Sequence, residues 1–129
     1  MGKTKKKTPA NIVWFNVPTD DLKRAQKFYG GLFGWKIKPF RGMKDFLEMD
    51  TGGTDSSPNG GLTGRKSGET AILNYFGVES LDKSAAKIVK LGGKITEPKT
   101  AVPGMGYFAV CKDTEGNEFG LWEKSRAAK

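Results

Sequence analysis

The strongest constraint on this chain is that it repeats itself. Laying Ile12 to Ala25 over residues 73 to 86, an offset of 61, brings Trp14-Phe15-Asn16-Val17 onto Tyr75-Phe76-Gly77-Val78, and Asp21 and Ala25 onto Asp82 and Ala86. A fixed internal period marks a supersecondary unit used twice. Each copy opens with an apolar, strand-like run and passes a polar cluster suited to helix capping, Thr19-Asp20-Asp21 in the first and Glu79-Ser80 in the second. Each then enters a segment with helical periodicity.

In the first helix, Leu22, Ala25, Phe28, Tyr29, Leu32 and Phe33 recur at three- and four-residue steps and form one apolar face, opposite Lys23, Arg24 and Lys27. Leu81, Ala85, Ile88 and Val89 mark the buried face of the second. Gly34 and Gly92 supply matching left-handed stops, because glycine takes that conformation without a side-chain penalty. Strand candidates follow each helix: Trp35 to Phe40, Phe46 to Met49 and Gly61 to Thr63, then Lys94 to Glu97, Tyr107 to Lys112 and Phe119 to Glu123. Asp113-Thr114-Glu115-Gly116-Asn117 has the chemistry of a tight hairpin turn. Gly52 to Gly60 reads as a loop and Gly64 to Glu69 as the connection between halves. The order is βαβββ twice. Neither unit alone buries its sheet, so the expected fold is α+β, with repeats 11–63 and 71–123 pairing their sheets around a central cleft and helices outside. One domain, 11–123, is expected between a basic arm at 1–10 and a basic tail at 124–129.

The net charge of +8 invites a nucleic-acid reading, so its location matters. Seven of the 22 basic residues lie in 1–10 and 124–129, which leaves 15 against all 14 acidic residues in the body. The body is nearly neutral, which argues against a strong preference for ligand charge. The arm is expected to be disordered and solvated, with weak attraction to polyanions, and no specific nucleic-acid partner is expected. No apolar run is long enough to span a membrane and no secretory signal pattern appears, so a cytoplasmic location is expected. A single cysteine, Cys111, cannot form an intrachain disulfide and reads as a core residue.

Ile12-Val13-Trp14-Phe15-Asn16-Val17-Pro18, with Asp20-Asp21-Leu22, Arg24-Ala25, Phe28-Tyr29 and Leu32-Phe33-Gly34-Trp35, is similar to the opening of many glyoxalase-like proteins. Val102-Pro103-Gly104 through Phe108-Ala109-Val110, then Asp113, Glu115-Gly116-Asn117 and Phe119 to Glu123, resembles their closing strand pair. The chain thus resembles the vicinal-oxygen-chelate superfamily of glyoxalases, bleomycin-resistance proteins and extradiol dioxygenases over nearly all of 11–123. The resemblance implies a divalent metal held by His or Glu from the first and last strand of each half. Here those positions carry Trp14, Tyr75 and Gly120, and the matching first-half strand holds Gly60, Gly61, Leu62 and Thr63; the chain has no histidine. Neutral imidazole and carboxylate are the donors such ions take, so no metal and no other cofactor is expected.

Strand alternation puts Ile12, Trp14 and Asn16 on one face and Val13, Phe15 and Val17 on the other, and the superfamily register turns Trp14 toward the cleft. The expected ligand-binding residues are Trp14, Asn16, Tyr75, Glu118 and Trp122, with Phe40, Met43 and Phe46 as a possible lid. Flat aromatic walls with a few polar groups suit a small organic molecule; the same rings could instead fill the groove as core. The resemblance to bleomycin-resistance proteins implies binding without chemistry. The alternatives are a glyoxalase-like lyase or isomerase with Glu118 as general base, and a polyanion-associated module acting through the basic arm. The resemblance also implies a homodimer. A Ser-His-Asp triad is excluded by the missing histidine. Gly30-Gly31 and Gly104-Met105-Gly106 lack the context of a phosphate loop and read as turns.

Overall fold

The computed structural model of the chain describes residues 9–53, 58–65 and 71–129. Most of the basic arm, the centre of the Gly52 to Gly60 loop and most of the connection between repeats lie outside the described residues. The elements run β1 (Ile12–Thr19), α1 (Leu22–Phe33), β2 (Lys36–Pro39), β3 (Phe46–Asp50), β4 (Gly60–Gly64), β5 (Leu73–Gly77), α2 (Leu81–Lys90), β6 (Lys94–Val102), β7 (Gly106–Lys112) and β8 (Glu118–Lys124). This is the βαβββ order twice, and the fold is α+β. No helix among the described residues is long and apolar enough to cross a membrane.

All eight strands form one sheet in the order β2-β3-β4-β1-β5-β8-β7-β6, so the halves meet along the antiparallel pair β1–β5. Each opening strand also pairs in parallel with the last strand of its own half, Phe15 with Gly60 in the first and Phe76 with Leu121 in the second. These registers are related by the same 61-residue offset. Across the central pair Trp14 faces Tyr75, its own repeat equivalent. A local two-fold axis therefore runs between these two residues, normal to the sheet.

Two cores sit between the sheet and the helices. Val17, Met49 and Leu62 form the first, with Leu22, Ala25 and Tyr29 of α1 packed on it. Leu81, Ala109, Cys111 and Leu121 form the second, with Ile88 of α2 alongside. Cys111 is fully buried, and burial raises its thiol pKa above the ordinary value. Asp21 caps α1 by accepting from the Arg24 backbone N–H at 3.0 Å, and Ser80 caps α2 by accepting from that of Lys83 at 3.2 Å. Glu123 adds an acceptor for the Leu81 N–H at 2.8 Å, tying the last strand to the start of α2. In the β7–β8 hairpin, the Asn117 backbone and side-chain amides, joined by the Glu115 and Gly116 N–H groups, hold the Asp113 carboxyl below its usual range.

The structure corrects several expectations. The apolar face of α1 is only half covered: Phe28, Leu32 and Phe33 remain 61%, 60% and 54% exposed, because one sheet face meets only the Leu22, Ala25 and Tyr29 side of the stripe. Val89, expected in the core, is 60% exposed for the same reason, since α2 docks through Leu81 and Ile88. Gly30-Gly31 is not a turn but lies within α1, whose left-handed stop comes at Gly34, φ 71°. The Tyr29, Phe33 and Trp35 rings pack together across that end and offset the weak helix propensity of two glycines. β6 runs five residues past its expected end, through two register irregularities. Beyond β8 the chain folds back: the Ser125 N–H donates to the Met105 carbonyl at 2.8 Å, the Gly104 N–H to the Ala128 carbonyl at 2.9 Å, and Ala128 is buried.

Met49 is fully buried among well-packed neighbours. Met49→Ala is expected to lower unfolding free energy by about 2–5 kcal/mol in a denaturant titration. Cys111 is expected to resist a thiol reagent in the native state and to react fully once the chain is unfolded.

Candidate functional site

The concave face of the sheet, opposite the helices, encloses a cavity of about 700 Å³. Trp14, Asn16, Tyr75, Glu118 and Trp122 all stand in its wall, as do Phe40, Met43 and Phe46. The groove is therefore open and not packed shut by its own rings. The reason lies in where those rings rest.

Three of them lie against glycines. A Cβ at Gly120 would overlap Cδ2 and Cε2 of Tyr75. One at Gly61 would come within 2.8 Å of Phe46 Cζ and 2.9 Å of Asn16 Oδ1, and one at Gly106 within 2.7 Å of Trp122 Cζ2. Each distance is well inside van der Waals contact, so only a bare backbone admits the ring. Rings laid along the sheet in this way form walls and leave the lumen clear. Phe46 is nearly parallel to Trp14, with centroids 6.2 Å apart and planes 9° from one another, and Phe40 tilts against Phe46 at 6.1 Å. On the other side Phe108 meets Tyr75 edge-on at 6.3 Å.

Asn16 ties the two axial aromatics together. The Trp14 indole N–H donates to Asn16 Oδ1 at 2.7 Å, and Asn16 Nδ2 donates to the Tyr75 hydroxyl at 3.4 Å. The amide thus holds the site's architecture, and Trp14 meets the cavity with its ring and not its donor. Glu118 is exposed, at the rim.

One departure from simple alternation matters. A register shift between Ile12 and Trp14 places Val13, assigned by parity to the other face, in the cavity wall, while Phe15 and Val17 stay on the helix side. Phe40 and Met43 reach the cavity from the β2–β3 loop, where Arg41 and Asp45 take left-handed backbone conformations at φ 51° and 53°. Such conformations are uncommon for residues with a side chain.

Sequence reasoning missed Glu48, Glu97, Met105 and Phe108 in the wall. It also missed Asn59 as the first-half counterpart of Gly120, although the pairing of Tyr75 with Gly120 and the 61-residue offset lead straight to it. The Asn59 carbonyl accepts from the Thr51 N–H at 2.9 Å, the Thr51 hydroxyl at 3.1 Å and the Gly53 N–H at 3.0 Å, so it is committed to the loop.

The positions that would hold a metal in the superfamily enzymes are thus Trp14, Tyr75, Gly120 and Asn59. Two are aromatic, one has no side chain, and the fourth directs its oxygen at three backbone and hydroxyl donors. No group of three or more His, Cys, Asp or Glu residues able to hold a metal ion occurs among the described residues. This donor set does not fit a divalent ion.

Comparison with known proteins agrees with the architecture. The family of bleomycin resistance protein-like N-terminal sequences matches residues 11–52. A glyoxylase-like domain-containing protein of Didymella fabae is 32% identical over 115 residues, which cover 82% of this chain and 88% of that protein. The Mycobacterium bovis protein named "Putative glyoxylase CFP32" is 30% identical over 118 residues, 88% of this chain but 45% of its own length, so this chain spans about half of that relative. Among solved structures, a glyoxalase/bleomycin resistance protein/dioxygenase superfamily member from Vibrio splendidus superposes with a TM-score of 0.64 at 12% identity, covering 90% of this chain and 100% of that one. The chain belongs to the vicinal-oxygen-chelate superfamily, within its glyoxalase and bleomycin-resistance-like group.

The fit of Tyr75 onto Gly120 is testable. Gly120→Ala is expected to destabilise the protein by about 1–3 kcal/mol through overpacking, and by much less in a Tyr75→Ala background. A double-mutant cycle by chemical denaturation measures the coupling; equal penalties in both backgrounds would show that the ring does not rest there.

Proposed function

We propose that this protein binds a small organic molecule in the aromatic-lined cleft and does so without a resident metal. The observation that carries this reading is the open cavity whose rings are seated on glycines, since its volume lies within the range of about 300–1,000 Å³ typical of small-molecule sites. Its lining is mostly apolar, with a few polar groups, the composition that holds a ligand by contact area and orients it by hydrogen bonding. The poor donor set at the four chelating positions supports the metal-independent part.

A glyoxalase-like lyase or isomerase would require a carboxylate shielded from water beside the reacting carbon. Glu118, the residue considered for that part, is exposed. Binding is therefore the better supported reading.

Protein purified without a metal-affinity resin is expected, by native mass spectrometry with metal analysis, to carry a dissociable organic mass and no stoichiometric divalent metal. The same spectra report whether two copies associate, as we propose by analogy with the superfamily. Stoichiometric zinc, nickel, manganese or iron would overturn the metal-independent reading. Trp14→Ala is expected to weaken retention of that organic mass about tenfold, roughly 1.4 kcal/mol, while the chain stays folded; unchanged retention would overturn the cleft as the site.

A further inference from the structure

We propose that the ligand of this cleft is an organic cation on a flat apolar body. The inference rests on the binding reading above and adds to it the sign of the ligand's charge. Glu48 of β3, Glu97 of β6 and Glu118 of β8 stand in the cavity wall, and among the described residues no lysine or arginine lines it with them.

None of the three is ion-paired among the described residues, whose salt bridges join Arg24 to Asp21, Arg65 to Asp20 and Lys99 to Asp82. The basic side chains around the site are turned to other uses or stand outside it. Lys38 is opposite Glu48 and Lys112 opposite Glu118 in the strand ladders, yet neither lines the cavity or reaches salt-bridge distance. Arg41, in the loop at the mouth, lies over the Phe40 ring with 5.8 Å from guanidinium carbon to centroid. Glu97 is opposite Val110.

The carboxylates come from three strands in both halves of the molecule, so the space they share is the cavity itself. The rings between them add to the same preference, because an aromatic face is the negative pole of a quadrupole and attracts a cation within about 6 Å of its centre. Low-dielectric walls strengthen both effects relative to open water. An anion in this space would meet three carboxylates, with Arg41 at the mouth the one cation beside it among the described residues.

Total charge hides this. The body carries 15 basic and 14 acidic residues, and that near balance led to the expectation of no charge preference. The balance is not local: among the described residues the charged side chains in the cavity wall are all acidic.

The test is isothermal titration of the full chain with three probes of one shape: naphthylmethylammonium, naphthylmethanol and naphthoate. The cation is expected to bind about tenfold more tightly than the neutral alcohol, and the carboxylate most weakly, a factor of ten being about 1.4 kcal/mol. In Glu48→Gln/Glu97→Gln/Glu118→Gln the tenfold advantage of the cation over the alcohol is expected to vanish, with an unchanged circular dichroism spectrum reporting that the chain is folded; an advantage that persists in this variant would overturn the charge assignment. Alcohol binding equal to or tighter than cation binding in the parent chain would overturn the charge assignment and leave the binding reading standing. Failure of all three probes to bind would overturn both.

Discussion

Everything distinctive in this structure depends on the hydrogen-bonded seam between β1 and β5. Each half alone is a four-stranded sheet with one helix on it and two open edges, one of them its opening strand, and unpaired strand edges are a liability in water. Joining the two opening strands antiparallel removes one edge from each half at once, leaving β2 and β6 at the borders, and makes one sheet wide enough to curl. The curl creates the concave face. Helices cover the convex side, where Met49, Leu62, Leu81 and Cys111 are sealed, and the concave side is left to line a cavity. Cavity and core are thus opposite faces of the same strands.

On that face the positions at which the superfamily enzymes chelate a metal are occupied by residues that build a wall. Chelation needs side chains that converge on a point; a wall needs side chains that lie flat. Tyr75 over Gly120, Phe46 over Gly61 and Trp122 over Gly106 are each a large ring matched to an absent side chain. In each such pair the ring restricts what can stand at the glycine. A carboxylate introduced at position 120 alone would run into the Tyr75 ring, so a chelating site there would need both partners to change together.

Much of this was legible in the sequence because repetition doubles the signal. Strand order, both helices, the left-handed stop at Gly34 and the hairpin at Asp113 to Asn117 follow from periodicity and turn chemistry that each half states in its own residues. The wall residues on β1, β5 and β8 were legible too, since those strands carry the repeat and the superfamily register. Legibility failed where local pattern does not determine the outcome. Val13 reaches the wall through a register shift, and Glu97 comes from a strand with two irregularities, so counting by twos misplaces them. Phe28, Leu32 and Val89 have the right spacing for burial, but spacing cannot say how wide a stripe the sheet will cover. Glu48 and Phe108 depend on which face of β3 and β7 turns inward, which is fixed by partners far away in the chain.

The two-fold axis between Trp14 and Tyr75 has a consequence for any bound molecule. A perfectly symmetric cleft would receive an asymmetric guest in two poses related by half a turn, equal in energy, and would hold it in neither. Here the axis passes between an indole and a phenol, and the Asn16 amide beside them has no twin, because its repeat equivalent is Gly77. With that symmetry broken, the two ends of any guest lying across the axis would meet different groups.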